Sequence, residues 1–167
     1  VLTGRQQLIN LSVRGATAPE APMITGFAIG GTAAKQVLLR VAGPSLARTP
    51  FNLAGALADP SLQLYRVGTV IGQNNDWGSP AAGATALAAA AARAGAFPFA
   101  AGSADAALLL TLPPGGYTAV VSSESATGVV LVEAYESGPD AGRIVNLATR
   151  AYADNRGRPI VAGFVVR

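Results

Sequence analysis

Cysteine and histidine are both absent from the 167 residues, and lysine occurs once, at Lys35. Without cysteine there are no disulfides, no thiolate chemistry and no cysteine-held zinc. Without histidine, the commonest general base, pH switch and transition-metal ligand is missing, which excludes Ser-His-Asp and Cys-His catalysis. Charge is scarce too, at 13% of residues, and aromatics supply only 6%. No run is long and apolar enough to span a membrane, and the nearest, 84–92, is almost all alanine. With a net charge of +3 and arginines scattered singly, no basic stripe marks a nucleic-acid surface.

Half the residues are hydrophobic, and 20 Gly and 11 Pro punctuate them. This composition argues against disorder, and the length suits one domain able to bury a core without staples. Little lysine, no cysteine and many small residues fit a secreted bacterial surface protein. Opening on Val1 instead of Met reads as a processed or excised chain.

Period-two alternation between turn signals predicts strands at 8–13, 23–29, 35–42, 61–66, 69–73, 108–112, 117–122, 129–135, 144–149 and 160–166. In the third of these, Val37, Leu39 and Val41 share one face, and Leu38 and Arg40 share the other. One segment differs. Ser79-Pro80 opens an alanine-rich run that ends at Gly95, so a single helix is expected over 81–94. Its smooth surface suits packing over an edge or end of a sandwich. Short strands with one inserted helix predict an all-β fold, an antiparallel sandwich of immunoglobulin-like or jelly-roll-like type.

The two ends of the chain match. Leu8-Ile9-Asn10-Leu11-Ser12-Val13-Arg14 aligns with Ile144-Val145-Asn146-Leu147-Ala148-Thr149-Arg150 at an offset of 136. Ile24-Thr25-Gly26-Phe27-Ala28-Ile29 aligns with Val161-Ala162-Gly163-Phe164-Val165-Val166 at an offset of 137. The chain therefore reads as one repeat, 1–142, followed by a second copy of the opening strand pair, 143–167.

The motifs N-L-S-x-R, G-F-x-I-G-G, V-L-L-R-V-A-G-P-S-L, A-L-A-D-P-S-L-Q-L-Y and L-P-P-G-G-Y-T-A-V-V-S, in that order, resemble a tandemly repeated extracellular β-sandwich module of large bacterial surface and secreted proteins. The most specific parts are Gly43-Pro44-Ser45-Leu46, Ala58-Asp59-Pro60 and Leu112-Pro113-Pro114-Gly115. The resemblance implies a surface role and carries no catalytic residues.

A sandwich fills each strand slot once, and an unpaired edge recruits other chains. The second strand pair therefore either augments a neighbouring subunit, or lies in the same sandwich as pseudo-equivalent strands of opposite sheets, or marks a piece of an array. The first option predicts head-to-tail assembly into a filament or surface layer, the partner being a second copy of the chain. Its contact strands would use Ile144, Val145, Asn146, Leu147, Ile160, Val161, Phe164 and Val166 against Leu8, Ile9, Leu11 and Phe27. The alternative function is a carbohydrate- or surface-binding module of a larger adhesin.

Other candidate chemistry is thin. Asn74, Asn75 and Asp76 offer oxygen ligands for a metal, but one carboxylate with two amides is a poor set. No metal or cofactor is expected. Trp77 suits a core rim, with its N–H bonded, better than a sugar platform. Glu133 and Glu136 fall on opposite faces of one strand, so they make poor glycosidase partners. Lys35 raises a Lys–Asn crosslink beside a buried acid, against the simpler expectation of a solvated lysine. Arg14, Arg40 and Arg150 are expected to bond carbonyls or acids at sheet edges.

Overall fold

The computed structural model describes residues 7–79, 81–138, 142–153 and 158–167. The expected strands all form, several of them longer than the alternation alone required. They are β1 (Leu8–Thr17), β2 (Met23–Gly30), β3 (Lys35–Ala42), β4 (Ser61–Arg66), β5 (Thr69–Asn74), β6 (Ala106–Leu112), β7 (Gly115–Ser122), β8 (Gly128–Ser137), β9 (Arg143–Arg150) and β10 (Val161–Val166). They build two five-stranded antiparallel sheets, ordered β10-β1-β8-β3-β6 and β5-β4-β7-β2-β9. The chain changes sheet at every step except β4–β5. That alternation is jelly-roll-like, because an immunoglobulin sandwich pairs several consecutive strands within one sheet.

The core lies between the sheets and follows the alternation. Val37, Leu39 and Val41 face inward beside Val13, Phe27, Leu62, Ala119 and Val130, all buried. Leu38 and Arg40 face outward, yet each is only 1% exposed. The cover is the single helix, α1 (Ala81–Ala94), which lies across β3, β6 and β8. It packs on the outer face of a sheet and not over an edge or end, because that face carries Leu38, Ala107 and a buried ion pair that need shielding from water. Gly95 follows the helix at φ +71, the left-handed conformation that ends helices; Pro80 lies outside the described residues.

The Gly-Pro-Ser motif also acquires a physical reason. Asp105 is fully buried and accepts hydrogen bonds from the backbone N–H of Gly43 (2.9 Å) and Ser45 (3.1 Å) and from the hydroxyls of Ser45 (2.6 Å) and Ser103 (2.7 Å). A Cβ on Gly43 would sit 2.4 Å from the Leu57 carbonyl oxygen and 3.1 Å from the Pro60 ring, so no larger residue fits. The two sequence motifs Gly43-Pro44-Ser45 and Ala58-Asp59-Pro60 thus meet around one carboxylate cradle. Asp105→Ala leaves four donors without their acceptor and should cost about 3 kcal/mol or more. Urea unfolding of the variant checks this, and a midpoint equal to wild type would contradict the cradle's role.

Candidate functional site: the duplicated strands at one end of the sandwich

The second copy of the opening strands lies within the same sandwich. β9 is the edge strand beside β2, and β10 is the edge strand beside β1, both at one end of the molecule. Each copy's first strand therefore pairs with the other copy's second strand.

The two pairings have the same register. Leu11 faces Phe164, and their repeat counterparts Leu147 and Phe27 face each other. Ser12–Gly163 corresponds to Ala148–Gly26, Val13–Ala162 to Thr149–Thr25, and Arg14–Val161 to Arg150–Ile24. Asn10–Val165 and Leu8–Val166 likewise match Asn146–Ala28 and Ile144–Ile29. Gln7 and Arg167 exchange two backbone hydrogen bonds, of 2.8 and 2.9 Å, where Arg143 faces Gly30. Even the irregularity is shared, because Ile9 and its counterpart Val145 are the residues skipped by each ladder. At the turn, Tyr152 donates its N–H to the Ala16 carbonyl at 3.0 Å, and these two residues are each other's counterparts. Such a self-equivalent contact marks a pseudo-two-fold axis. The close approach there uses Gly15, where a Cβ would lie 2.8 Å from the Cβ of Ala151.

Among the described residues, the outer edges of β9 and β10 carry no further strand. Phe27 is 2% exposed because Tyr117 of β7 stacks on it at 5.5 Å, whereas its counterpart Phe164 is 71% exposed. Phe164 pairs with core-facing Leu11, so it lies on the core side of its sheet with nothing over it. Val145, Ile160, Val161, Val165 and Val166 are exposed as well, a concentration of apolar surface at this end. Leu8, Leu147 and Ala151 pack partly against the core, Ile144 is buried in it, and Asn146 is exposed.

Glu136 ties this end together. Its side chain accepts the N–H of Ile144 at the start of β9 (2.6 Å) and the Gln7 carboxamide, and it lies 3.7 Å from the Lys35 amine. Lys35 is 3% exposed and also donates to the Gly138 carbonyl at 3.0 Å. The expectation of a solvated lysine is therefore corrected. Lys35 shares the inward-facing parity of Val37 and Leu39, so it is buried and takes an acid as partner. Among the described residues, Gln7, Ile144 and Lys35 meet the Glu136 carboxylate.

Glu133 lies on the opposite face of β8, under the helix. Its carboxylate is 3.1 Å from the Arg40 guanidinium and accepts the Tyr135 hydroxyl at 2.8 Å. Arg40 packs against the rings of Phe99 and Phe97, with ring centres 4.0 and 4.6 Å away, and donates to the Phe97 carbonyl at 2.6 Å. It does bond an acid and a carbonyl, but from a central strand and not from a sheet edge. Burial lowers the Arg40 pKa against the pull of Glu133, and burial pushes the Tyr135 hydroxyl up. This cluster was missed in the sequence because its members lie far apart in the chain, although the outward parity of Arg40 next to Leu38 was a signal.

The remaining candidates serve structure. The Asn74 carboxamide donates to the carbonyls of Asp76 (2.9 Å) and Ser79 (3.1 Å) and accepts the Ala107 N–H (2.9 Å), so its oxygen is already engaged. Asn75 and Asp76 are exposed beside it, and no group of three or more acidic side chains gathers among the described residues. Trp77 donates its indole N–H to the Ala100 carbonyl at 3.1 Å, at the rim of a cavity of about 260 Å³ beneath α1. That cavity is lined by small and apolar side chains with Arg40 as its charged member, and so offers a sugar few polar partners. No helix among the described residues is long and apolar enough to cross a membrane. No family model, curated protein or solved structure matches the chain.

Burial raises the Glu133 pKa above its ordinary 4.5 despite the nearby Arg40. The fold thus favours the protonated acid, so its contribution is full below about pH 4.5 and declines as pH rises through the higher folded value. Glu133→Gln, which cannot ionise, should gain stability relative to wild type between pH 4 and 7, read as the difference in urea midpoints. A wild type that pulls ahead with rising pH would show that attraction to Arg40 outweighs burial.

Proposed function

We propose that this chain is a non-enzymatic extracellular structural protein, of the tandem-repeat β-sandwich kind it resembles, that assembles head-to-tail by strand donation. In this reading β9 and β10 of one subunit occupy the edges of β2 and β1 on the next, giving a filament or surface layer. The observation that carries it is the matched register of the two strand pairs. Backbone ladders supply the affinity and the alternate side chains set the register. Seven aligned pairs per ladder, at roughly 0.2–1 kcal/mol each, give a docking energy of several kcal/mol. The absence of histidine, and the placement of Glu133 and Glu136 on opposite faces of β8, support a structural role over hydrolysis.

Ser12→Cys with Gly163→Cys tests donation directly, because a Cβ at position 163 would lie 3.0 Å from the Ser12 hydroxyl and no native thiol interferes. Donation predicts filaments in negative stain from wild type that has been concentrated to about millimolar before it is applied. From the oxidised double variant it predicts a ladder of covalent oligomers on a non-reducing gel. A wild type that stays monomeric by light scattering even when concentrated to about the millimolar level at which a neighbour's tail competes with the tethered one, with the 12–163 bond formed within one chain, overturns the reading.

A further inference from the structure

The slot that holds β9 and β10 is shaped for a second copy of β1 and β2. From this we infer that two subunits can dock through their own β1–β2 edges as a closed two-fold dimer, and that the terminal strand pair stands in for that partner within one chain. The inference uses the same edge as strand donation but a different occupant.

The substitution can be followed pair by pair. With a partner's β2 in place of β10, Leu11 would again face a phenylalanine and Ser12 a glycine, as they already do. Val13 would face threonine instead of Ala162, Arg14 isoleucine instead of Val161, Asn10 alanine instead of Val165, and Leu8 isoleucine instead of Val166. None of these changes introduces a charge or a proline. At the axis Ala16 would meet Ala16 of the partner in place of Tyr152, and Gly15 would meet a second glycine where Ala151 now approaches closely. The smaller groups relieve that crowding.

The dimer also completes what the single chain leaves open. Each sheet would run β6-β3-β8-β1 and continue into β2-β7-β4-β5 of the partner, eight strands without a break at the junction. The phenylalanine facing Leu11 would then be a partner Phe27, already stacked on its own Tyr117, in place of the uncovered Phe164. Because the contact is isologous it closes at two subunits, whereas donation of β9–β10 propagates.

Ser12→Cys with Gly26→Cys reads this contact specifically. Within one chain these residues lie on the outer faces of opposite sheets and cannot bond; between two-fold partners they are directly paired. A Cβ at Gly26 has only ordinary contacts, 3.8 Å and beyond, so the cysteine is tolerated. The pair is placed in a full chain whose tail is weakened by Ile144→Asp, Leu147→Asp, Phe164→Asp and Val166→Asp, with folding checked by circular dichroism and Trp77 fluorescence. Oxidation should give a covalent dimer and nothing larger, and light scattering before oxidation should give twice the monomer mass. A folded variant that remains monomeric overturns the inference, as does a ladder beyond dimer. If the weakened chain does not fold, the same cysteine pair goes into the intact chain in a thiol–disulfide buffer. Slow accumulation of the dimer then supports the inference, and its absence overturns it. The 12–163 pair reports donation and the 12–26 pair reports exchange, so either can fail without the other.

Discussion

A β-strand has two hydrogen-bonding edges, and both must be satisfied or left wet. At one end of this sandwich the two sheets run out together on β1 and β2, whose sequences are continuous apolar alternations ill suited to lie open. Much else at this end follows from that need. β9 and β10 supply the missing partners in a shared register, Glu136 holds Ile144 at the start of β9, and Gly15 lets the turns come together. The cost is displaced and not removed. Covering β1 and β2 leaves β9 and β10 as the new edges, with Phe164 exposed where Phe27 is enclosed.

The outer face of the sheet that holds β3 and β8 presents a different problem. A helix built from alanine offers little area to bury, so it adds only a modest hydrophobic contribution. What it encloses is a charged cluster on the outer face of a sheet. Arg40 and Glu133 lie side by side there, the rings of Phe97 and Phe99 pack against the guanidinium, and Tyr135 bonds the Glu133 side chain. Taking such a pair out of water costs at least as much as its attraction returns. The cluster thus fixes where the helix-to-β6 segment lies more than it adds to net stability. That is a structural explanation for buried charge in a chain with few charges to spare, and it needs no catalytic role.

Much of this was legible from residue order. Alternation in 35–42 placed Val37, Leu39 and Val41 inside and Leu38 and Arg40 outside, and the helix ended where Gly95 permits it to end. The duplication was visible too, because strand identity is local. Partner choice is not local. Nothing in 8–13 or 161–166 states that a first-copy strand pairs with a second-copy one, and only the three-dimensional register does so. Lys35 illustrates the same divide. Its parity was readable, but a lone lysine after a glycine turn reads as solvated until Glu136, a hundred residues later, is brought beside it. Asp105 was silent for the same reason, its donors lying around Gly43 and Ser45.

One slot with three possible occupants sets up a competition that concentration decides. The chain's own tail is tethered through the short β8–β9 connection, so it faces the slot at an effective concentration on the order of millimolar. A neighbour's tail or a neighbour's β1–β2 edge makes nearly the same ladder, so it gains little contact energy over the tethered copy. It must instead overcome that tether. In dilute solution the intramolecular pairing is therefore favoured, and exchange between chains gains ground where subunits are crowded or held side by side. A crowded surface provides that condition, and the near-equality of the ladders makes the choice reversible there. The duplication thus covers an otherwise open edge in the isolated chain, and in the proposed assemblies that same edge is what another copy would recognise.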